Sequence, residues 1–113
     1  MLDELLFQRG CIIARIGDET DDYDSIVPDH YFKNVLGLSG EVLDSNGSEY
    51  TLVSIDKDDK FVIFFNVYEN QFRTDGGEVY EFEELVVQCT GAVVQEDDYD
   101  VLRLDTFDVQ RVK

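Results

Sequence analysis

Two tight-turn signals divide the segment from residue 40 to residue 87 into short apolar runs, and this pattern constrains the fold most strongly. Asn46-Gly47 and Asp75-Gly76-Gly77 supply residues that tolerate the positive φ angles of a hairpin turn. The runs between them are rich in β-branched and aromatic residues, which favour strands. The pattern predicts an antiparallel sheet built from consecutive hairpins.

The alternation of side chains along a strand assigns a face to each run. In the run 50–55 the β-branched residues Thr51, Val53 and Ile55 share one face, and we predict that this face is buried. The run 61–65 is apolar on both faces, which is typical of a central strand that is covered twice.

The C-terminal half of the chain continues the strand pattern. Short strands are predicted at residues 79–82 and 85–87, and strand character extends through residues 88–94 with a bulge at Gly91. The last run alternates in two opposite phases, which predicts a second bulge near Asp105-Thr106. Turn signals recurring about every ten residues favour a small barrel or a curled sheet.

The turn spacing from Gly-Glu-Val-Leu-Asp-x-Asn-Gly to Tyr-Glu-Phe-Glu-Glu-Leu-Val resembles that of small SH3-like barrels over about 45 residues. The resemblance carries no functional residue. The predicted fold class is α+β and mainly antiparallel β: a small curled sheet or SH3-like barrel with one or two short helices in the N-terminal third. The 113 residues are expected to form one domain. Residues 40–113 make the main β region, and residues 1–39 pack on it as helix, strand, acidic loop and helix.

The first residues have helical spacing. Leu2, Leu5 and Leu6 predict a short N-terminal helix that ends at Gly10, followed by a strand at residues 11–16. A single longer helix through Gly10 is the alternative, since isolated glycines are tolerated in helices at some cost.

A second helix is predicted to open at Pro28-Asp29. Phe32, Val35 and Leu36 would share its apolar face, and Gly37 stands where a helix-ending glycine belongs.

The charge is the most unusual property of the chain: 26 acidic residues against nine basic ones, a net charge of −17. Such a charge favours solubility but destabilises the compact state by self-repulsion. Direct binding to nucleic acid or to an anionic membrane is therefore not expected, whereas a basic protein surface is a favourable partner. The hydrophobic content of 43% and the eight phenylalanines distinguish the chain from a disordered acidic one.

Targeting signals are not evident in the sequence. The sequence contains no run of eighteen apolar residues, so no membrane span is predicted. The first residues are acidic rather than basic, so no secretory signal is predicted. We expect a cytoplasmic protein in which Cys11 and Cys89 are buried thiols, because two cysteines do not make a disulfide scaffold.

Two acidic blocks, at residues 17–24 and 96–100, each surround one tyrosine, and the first is predicted to be a loop. Acids of the later strands are predicted to extend these blocks as rows. The predicted partner-binding residues are the acids and tyrosines of both blocks and the acids of those strands: Asp18, Glu19, Asp21, Asp22, Tyr23, Asp24, Glu78, Glu81, Glu83, Glu84, Glu96, Asp97, Asp98, Tyr99, Asp100, Asp105 and Asp108.

The residues that a known reaction would need are not brought together by any motif. His30 is the single histidine and is expected to be an ordinary, partly exposed residue. Alternating side chains at residues 18–24 resemble the start of a calcium loop, but Tyr23 and Asp29 occupy the positions that need glycine and glutamate. We predict no enzyme activity, no metal and no cofactor.

The leading hypothesis is a decoy that imitates nucleic acid and blocks the basic nucleic-acid-binding surface of another protein. Duplex DNA carries one negative charge per roughly 1.7 Å of axis, so carboxylates at similar spacing would be needed. Tyr23 and Tyr99 would add apolar anchors. In size and charge, though in no shared motif, the chain resembles the small acidic anti-restriction and anti-CRISPR proteins of phages.

Two alternatives are open: a second kind of inhibitor that uses the same electrostatics, and a module of a different class. An immunity protein that blocks a basic nuclease toxin would carry its carboxylates as a compact patch rather than an extended band. An acidic β-domain adaptor or assembly module would use the charge for solubility alone. The oligomeric state is left open, with a dimer among the alternatives.

Overall fold

The computed structural model describes residues 13–44 and 48–113. The predicted N-terminal helix, Gly10, Cys11 and the Asn46-Gly47 turn lie outside these residues. The elements in chain order are β1 Ile13–Ile16, β2 Glu19–Asp22, α1 Tyr23–His30, a π-helical segment Tyr31–Val35, β3 Gly40–Asp44, β4 Ser48–Ile55, β5 Lys60–Thr74, β6 Val79–Glu96 and β7 Tyr99–Val112.

The strands form one curled sheet, a half-barrel, with the order β2-β1-β7-β6-β5-β3, and β4 also pairs with β5. The pairing is antiparallel except between β1 and β7, where Ala14 lies opposite Leu102 in parallel. The predicted antiparallel, curled and mainly β fold is confirmed, whereas the SH3-like barrel is not. The two short strands predicted at residues 79–87 are part of a single strand of 18 residues.

The predicted hairpin between β3 and β4 is wrong. Both strands run antiparallel to β5, and they follow one another along its edge: Val42 lies opposite Phe72, and Ser48 lies opposite Val67. The chain therefore keeps its direction from β3 to β4. By contrast, the turn at Asp75-Gly76-Gly77 joins β5 to β6 as predicted.

The sheet bends at one level, where β5 and β6 each change the face on which their buried side chains lie. In β5 the buried series of odd-numbered residues ends at Val67 and resumes on even numbers at Asn70, with Glu69 at a φ of 51° between them. In β6 the buried residue Phe82 is followed by Leu85, so the phase changes at the same level. We call this bend the corner.

The predicted buried face of β4 is wrong. Leu52 is the buried residue, and it lies opposite Ile63, whereas Thr51 and Val53 are exposed. A register shift after Leu52 turns Ile55 back toward the core, where it is half-buried. The bulge broke the alternation from which the face was predicted.

The central strand is covered more fully on one face than on the other. β5 is paired along both edges as predicted. Phe61, Ile63 and Phe65 are buried, but Val62 and Phe64 are only half-buried, so the prediction of cover on both faces holds for one face.

Both bulges predicted in the C-terminal strands are confirmed, and they are the two sides of one irregularity. Thr90 pairs with Thr106, and Gly91 then pairs with Leu104, which leaves Asp105 as the extra residue. The bulge lets β7 bury Leu104 and, on the other side of the bulge, pack Phe107 against the core.

The first acidic block is not a loop as predicted. Glu19–Asp22 forms the edge strand β2, which pairs with β1 so that Ile13 lies opposite Asp22 and Ile16 opposite Glu19. All four β2 side chains are exposed. A strand without a buried face carries no apolar alternation, so sequence periodicity did not reveal it.

Helix α1 begins at Tyr23, five residues before the predicted start. Pro28 lies inside it and is buried. The following turn widens to π-helical spacing, in which the Leu36 N–H donates to the Tyr31 carbonyl at 3.0 Å. Gly37, at a φ of 72°, follows the end of the helix as predicted. Within the described ranges no helix is long and apolar enough to cross a membrane.

The widened turn also alters the predicted apolar face. Phe32 is buried and stacks on Phe72 with ring centroids 4.5 Å apart, and it packs against Phe82 at 5.2 Å. Val35 and Leu36 are about half exposed, because π-helical spacing rotates them away from the face that Phe32 occupies. The three-residue face predicted for this helix is therefore reduced to Phe32.

Cys89 is a free, fully buried thiol on the core face of β6, and burial raises its pKa from 9.0 to about 12. The thiolate fraction at pH 8 is then roughly a thousandfold smaller than for an ordinary thiol. We therefore expect iodoacetamide to leave Cys89 unmodified in the folded protein and to alkylate it after denaturation, as peptide mapping can measure. Equal modification in both states would contradict the burial. The predicted buried thiol is confirmed for Cys89.

Candidate functional site

One end of the sheet carries acidic side chains from two hairpin turns. The β6–β7 turn carries Asp97 and Asp98 there, and Asp100 follows at the start of β7. The β4–β5 turn adjoins it, because the N–H of Val93 donates to the carbonyl of Asp59 at 2.9 Å. Two hairpin ends therefore carry acids at the same end of the sheet.

The C-terminal end of β2 reaches the same end of the sheet. Asp21 lies opposite Ala14, which in turn lies opposite Leu102 of β7. We call this surface the acidic rim, and its nine residues are Asp21, Asp22, Asp56, Asp58, Asp59, Glu96, Asp97, Asp98 and Asp100.

Local hydrogen bonding fixes the β4–β5 turn of the acidic rim. The Asp56 carboxylate accepts the backbone N–H groups of Asp58 and Lys60 at 2.8 and 3.0 Å. Asp59 and Asp97 have φ angles of 63° and 50°, a conformation that Asp tolerates better than most residues. Aspartate is therefore favoured at these turns by the backbone as well as by the charge.

The carboxylates of the acidic rim are as dense as the phosphates of a nucleic-acid strand. From β2 to β4 the path crosses five strand intervals, or about 24 Å at roughly 4.8 Å each. Nine carboxylates over this width give one per roughly 2.7 Å, against one phosphate per roughly 3.4 Å along one DNA strand. Arg15, Lys57, Lys60 and Arg103 lie in the same region, so nine acids less four bases leave five net negative charges.

The β6–β7 turn projects farthest from the sheet. Lys60, the first residue of β5, lies opposite Ala92, and β6 continues four residues further to Glu96, or about 13 Å. Arg15 pairs with Glu96 at the base of this projection. Asp97 and Asp98 at its tip are exposed and make no ion pair among the described residues.

Outside the acidic rim, basic side chains neutralise several acids. Arg111 pairs with Glu84 at 2.5 Å, Arg73 with Glu41 at 2.8 Å and Lys33 with Asp29 at 3.1 Å, and at the edge of the rim Arg103 pairs with Asp105 at 3.0 Å. Three of these pairs thus lie away from the rim. Outside the rim, fifteen acids less four bases leave eleven net negative charges, so the rim holds five of the sixteen net negative charges of the described residues.

The predicted rows of acids on the later strands are not continuous. Glu84 and Asp105 are paired with arginines, Glu81 and Glu83 lie at the corner, and Asp108 accepts a hydrogen bond from the neighbouring Gln110. These acids therefore do not lie on one surface. Glu78 lies at the opposite end of the sheet from the acidic rim.

The two predicted tyrosine anchors have different environments. Tyr99 follows the projecting turn and is 43% exposed. Tyr23 is half-buried and packs against Tyr50 and Phe65, with ring centroids 5.7 and 5.4 Å away. Tyr23 therefore serves the core, and Tyr99 alone is placed to contact a partner.

A groove between β2, α1 and β3 holds the other acids of the first block. Its cavity of about 670 Å³ is lined by Glu19, Asp21, Asp24, Asp29 and Glu41, among other residues. Asp21 belongs to both the groove and the acidic rim, so the two acidic surfaces are continuous. Asp18 lies in the β1–β2 turn, at the end of that hairpin away from the rim.

A second cavity, of about 690 Å³, opens at the corner of the sheet, and we call it the corner pocket. It is lined by Glu69, Asn70, Gln71, Glu81, Phe82, Glu83 and Lys113. Asn70 is fully buried, and its side-chain oxygen and nitrogen have no hydrogen-bond partner among the described residues. The corner pocket is therefore chemically distinct from the groove.

His30 packs between the helix and the sheet, 4.6 Å from the ring of Phe107, and contacts Asn34 through Nδ1 at 3.1 Å. Burial lowers its pKa below 6.5, although the negative charges of Glu19 and Asp29 act in the opposite direction. The predicted partial exposure of His30 is confirmed.

The lowered pKa of His30 predicts a pH-dependent stability. Below about pH 6.5, protonation of His30 favours the unfolded state, in which the pKa of the ring is higher than in the folded state. The stability that the folded protein has with neutral His30 is therefore complete above that pH, and it is lost as the pH falls through the folded-state pKa. The difference in unfolding free energy between the wild type and His30→Gln should therefore decrease as the pH falls below 6.5. Urea titrations at several pH values measure it, and parallel pH profiles would contradict the burial of the ring.

Metal-binding groups do not assemble in the part of the chain that the structure describes. Within residues 13–44 and 48–113, no three His, Cys, Asp or Glu side chains are arranged to hold a metal ion. The absence of an enzyme activity stays a prediction.

Sequence reasoning did not single out Asp56, Asp58 and Asp59 as site residues. A usable signal was present, because consecutive hairpins place alternate turns at the same end of a sheet. The β4–β5 and β6–β7 turns are such a pair, with the β5–β6 turn between them.

No family model, no curated protein and no solved structure matches the chain.

Proposed function

We propose that this protein is an inhibitor that imitates nucleic acid, and DNA in particular. It binds and blocks the positively charged nucleic-acid-binding surface of another protein. The acidic rim is the observation that carries the proposal. Its carboxylates average roughly one per 2.7 Å across the width of the sheet, which is comparable to the density of phosphates along one DNA strand; hydrogen bonds fix the β4–β5 turn, and strand pairing flanks the β6–β7 turn. A rigid array loses little conformational entropy when the partner binds.

The electrostatics of such a complex favour rapid association. A net charge of −17 steers a basic partner toward the protein, and the projecting β6–β7 turn meets it first. Tyr99, next to Asp98 and 43% exposed, supplies an aromatic contact among the charges. The complex should therefore form quickly and weaken as salt is added.

The biological setting that best fits this proposal is a phage-type inhibitor of host defence, with an anti-CRISPR or anti-restriction role. Small size, high acidity and a folded β scaffold support it. The partner would be a basic nucleic-acid-binding protein or nuclease, and neither nucleic acid itself nor a membrane would bind directly.

The groove favours a second candidate, an immunity protein that blocks the active site of a basic nuclease. Its five acids line a single concave cavity, which suits one inserted basic segment rather than a long groove of the partner. Substitution at the groove acid Asp24 would separate the candidates, because it should disrupt the immunity complex and leave binding through the rim intact.

Affinity capture from host lysate at low and high salt tests the proposal. We expect captured proteins to be enriched in nucleic-acid-binding proteins and to be released as salt rises, since exposed charge contacts are screened. A captured set without such proteins, or one that is insensitive to salt, would argue for the adaptor role instead.

A further inference from the structure

The outer edge of β2 carries backbone groups that no described strand pairs. β2 is an end strand of the sheet, and its one partner among the described strands is β1. Ile16 and Glu19 flank the two-residue turn of this hairpin, in which Gly17 has a φ of 61°, and they form its closing hydrogen-bonded pair. Bonded and non-bonded pairs alternate along an antiparallel ladder, so the N–H and C=O groups of Thr20 point away from β1.

A second backbone group of β2 supports this direction. The N–H of Asp22, two residues after Thr20, points the same way and donates to the carboxylate of Asp21 at 2.8 Å rather than to a strand. The backbone groups of Thr20 have no partner among the described residues. All four side chains of β2 are exposed, so this edge is open to solvent instead of being covered by a helix or loop.

The open edge forms one wall of the groove between β2, α1 and β3. Glu19, Thr20 and Asp21 line the groove from β2, and Glu41 and Val42 line it from β3, which is the other end strand of the sheet. The volume of about 670 Å³ lies within the range of pockets that bind ligands. An extended segment that enters the groove would therefore lie alongside the open edge.

The charges around the open edge decide what can pair with it. Glu19 and Asp21 are alternate residues, so their side chains leave β2 on the same face, and both line the groove. The other groove acids lie on α1 and β3, and Lys33 is the one base among the lining residues, so five acids less one base leave four net negative charges. A second copy of β2 would set three acids against three acids, which disfavours pairing between copies.

A basic strand suits this edge, because opposite charges on neighbouring strands stabilise a sheet. Extended peptides bind open edges through main-chain hydrogen bonds, and their alternate side chains give the specificity. We propose that the outer edge of β2 binds an extended basic segment of a partner protein as an added strand, with lysine or arginine at alternate positions facing Glu19 and Asp21. This inference goes beyond the proposed function, since it does not require that the partner bind nucleic acid.

A synthetic peptide tests the open edge without the natural partner. The probe acetyl-Lys-Thr-Lys-Thr-Lys-Thr-amide is titrated into the isotope-labelled full chain, and the backbone amides are followed by NMR. We expect saturable binding in which the Thr20 N–H exchanges with solvent at least about tenfold more slowly, because it becomes hydrogen-bonded. The matched peptide acetyl-Glu-Thr-Glu-Thr-Glu-Thr-amide has the same pattern with the opposite charge, and it should not bind.

Two variants at one position separate strand addition from simple attraction between charges. Thr20→Pro removes the backbone N–H and leaves every carboxylate in place, and proline is accepted on an edge strand where the N–H faces solvent. It should weaken peptide binding by about tenfold, which corresponds to the loss of one hydrogen bond. Thr20→Ala keeps the N–H and should bind the peptide as the wild type does.

A third variant tests the charges and leaves the backbone unchanged. Glu19→Gln combined with Asp21→Asn removes the two carboxylates that face the added strand. It should weaken binding of the lysine peptide, and the difference from the wild type should decrease as salt is added, because salt screens exposed charges.

The proposal is overturned by a Thr20 amide that gains no protection, by equal binding of the two peptides, or by equal binding of the peptide to Thr20→Pro and Thr20→Ala. These outcomes concern the edge of β2 alone. Failure of the capture experiment would instead count against the proposed function, so the two failures are distinguishable.

Discussion

Replacing Asp97, Asp98 and Asp100 together by asparagine is expected to weaken binding of the basic partner by roughly ten- to a hundredfold. Each exposed charge contact contributes about 0.5–1 kcal/mol, and three of them on the projecting turn act on the same partner surface. Asparagine keeps the shape of the side chain and tolerates the positive φ of residue 97. The affinity is measured on the captured partner at low and high salt, where the variant should also lose salt sensitivity.

The matched control changes the same number of charges elsewhere. Asp75→Asn, Glu78→Gln and Asp108→Asn also reduce the net charge from −17 to −14, but they lie outside the acidic rim. If net charge alone attracted the partner, both triple variants would weaken binding equally, and the rim would have no special role. Thermal unfolding should show that neither variant is destabilised, because removing like charges reduces self-repulsion.

Gly91→Ala is expected to destabilise the fold by about 3 kcal/mol or more, a large share of the stability of a small domain. A Cβ atom at this position would lie 1.8 Å from the carbonyl oxygen of Arg103 and 3.1 Å from the Phe61 ring. The clash is with backbone in the middle of the sheet, so the β6–β7 ladder must separate to relieve it. The urea unfolding midpoint measures the loss.

Gly76→Ala is the control for this substitution. Its nearest neighbour would be the Thr74 hydroxyl at 3.8 Å, and its φ is not positive, so a change within about 0.5 kcal/mol is expected. Equal midpoints for the two variants would mean that the close approach of β7 to Gly91 is absent.

Sequence periodicity predicted the sheet well where strands have one buried face. The bulge at Gly91 and the change of phase at Asp105 were both visible, because a displaced buried series leaves a trace in the sequence. The same reasoning failed at Val53, where a bulge in the middle of β4 reversed the apparent faces. It failed again at β2, whose residues are all exposed.

The path from β3 to β4 was mispredicted for a related reason. Asn46-Gly47 is a strong hairpin signal, but both flanking strands pair with β5 instead of with each other. Local turn chemistry cannot report which strand will be the neighbour, because long-range packing at the corner decides it.

The sequence predicted that the candidate site is acidic, but it identified only some of the residues that lie there. The second acidic block was identified correctly as a concentration of charge, while its neighbours Asp56 and Asp59 come from a turn 38 residues or more before Asp97. The arginines that neutralise Glu84 and Asp105 could not be assigned from sequence, since their pairing depends on register and side-chain direction.

Competition between duplex DNA and this protein for the captured partner tests the central claim most directly. If the acidic rim occupies the nucleic-acid-binding surface, increasing DNA should displace the protein until none remains bound, and the triple rim variant should be displaced at lower DNA concentration. A stable complex that contains the partner, the DNA and this protein together would contradict the claim.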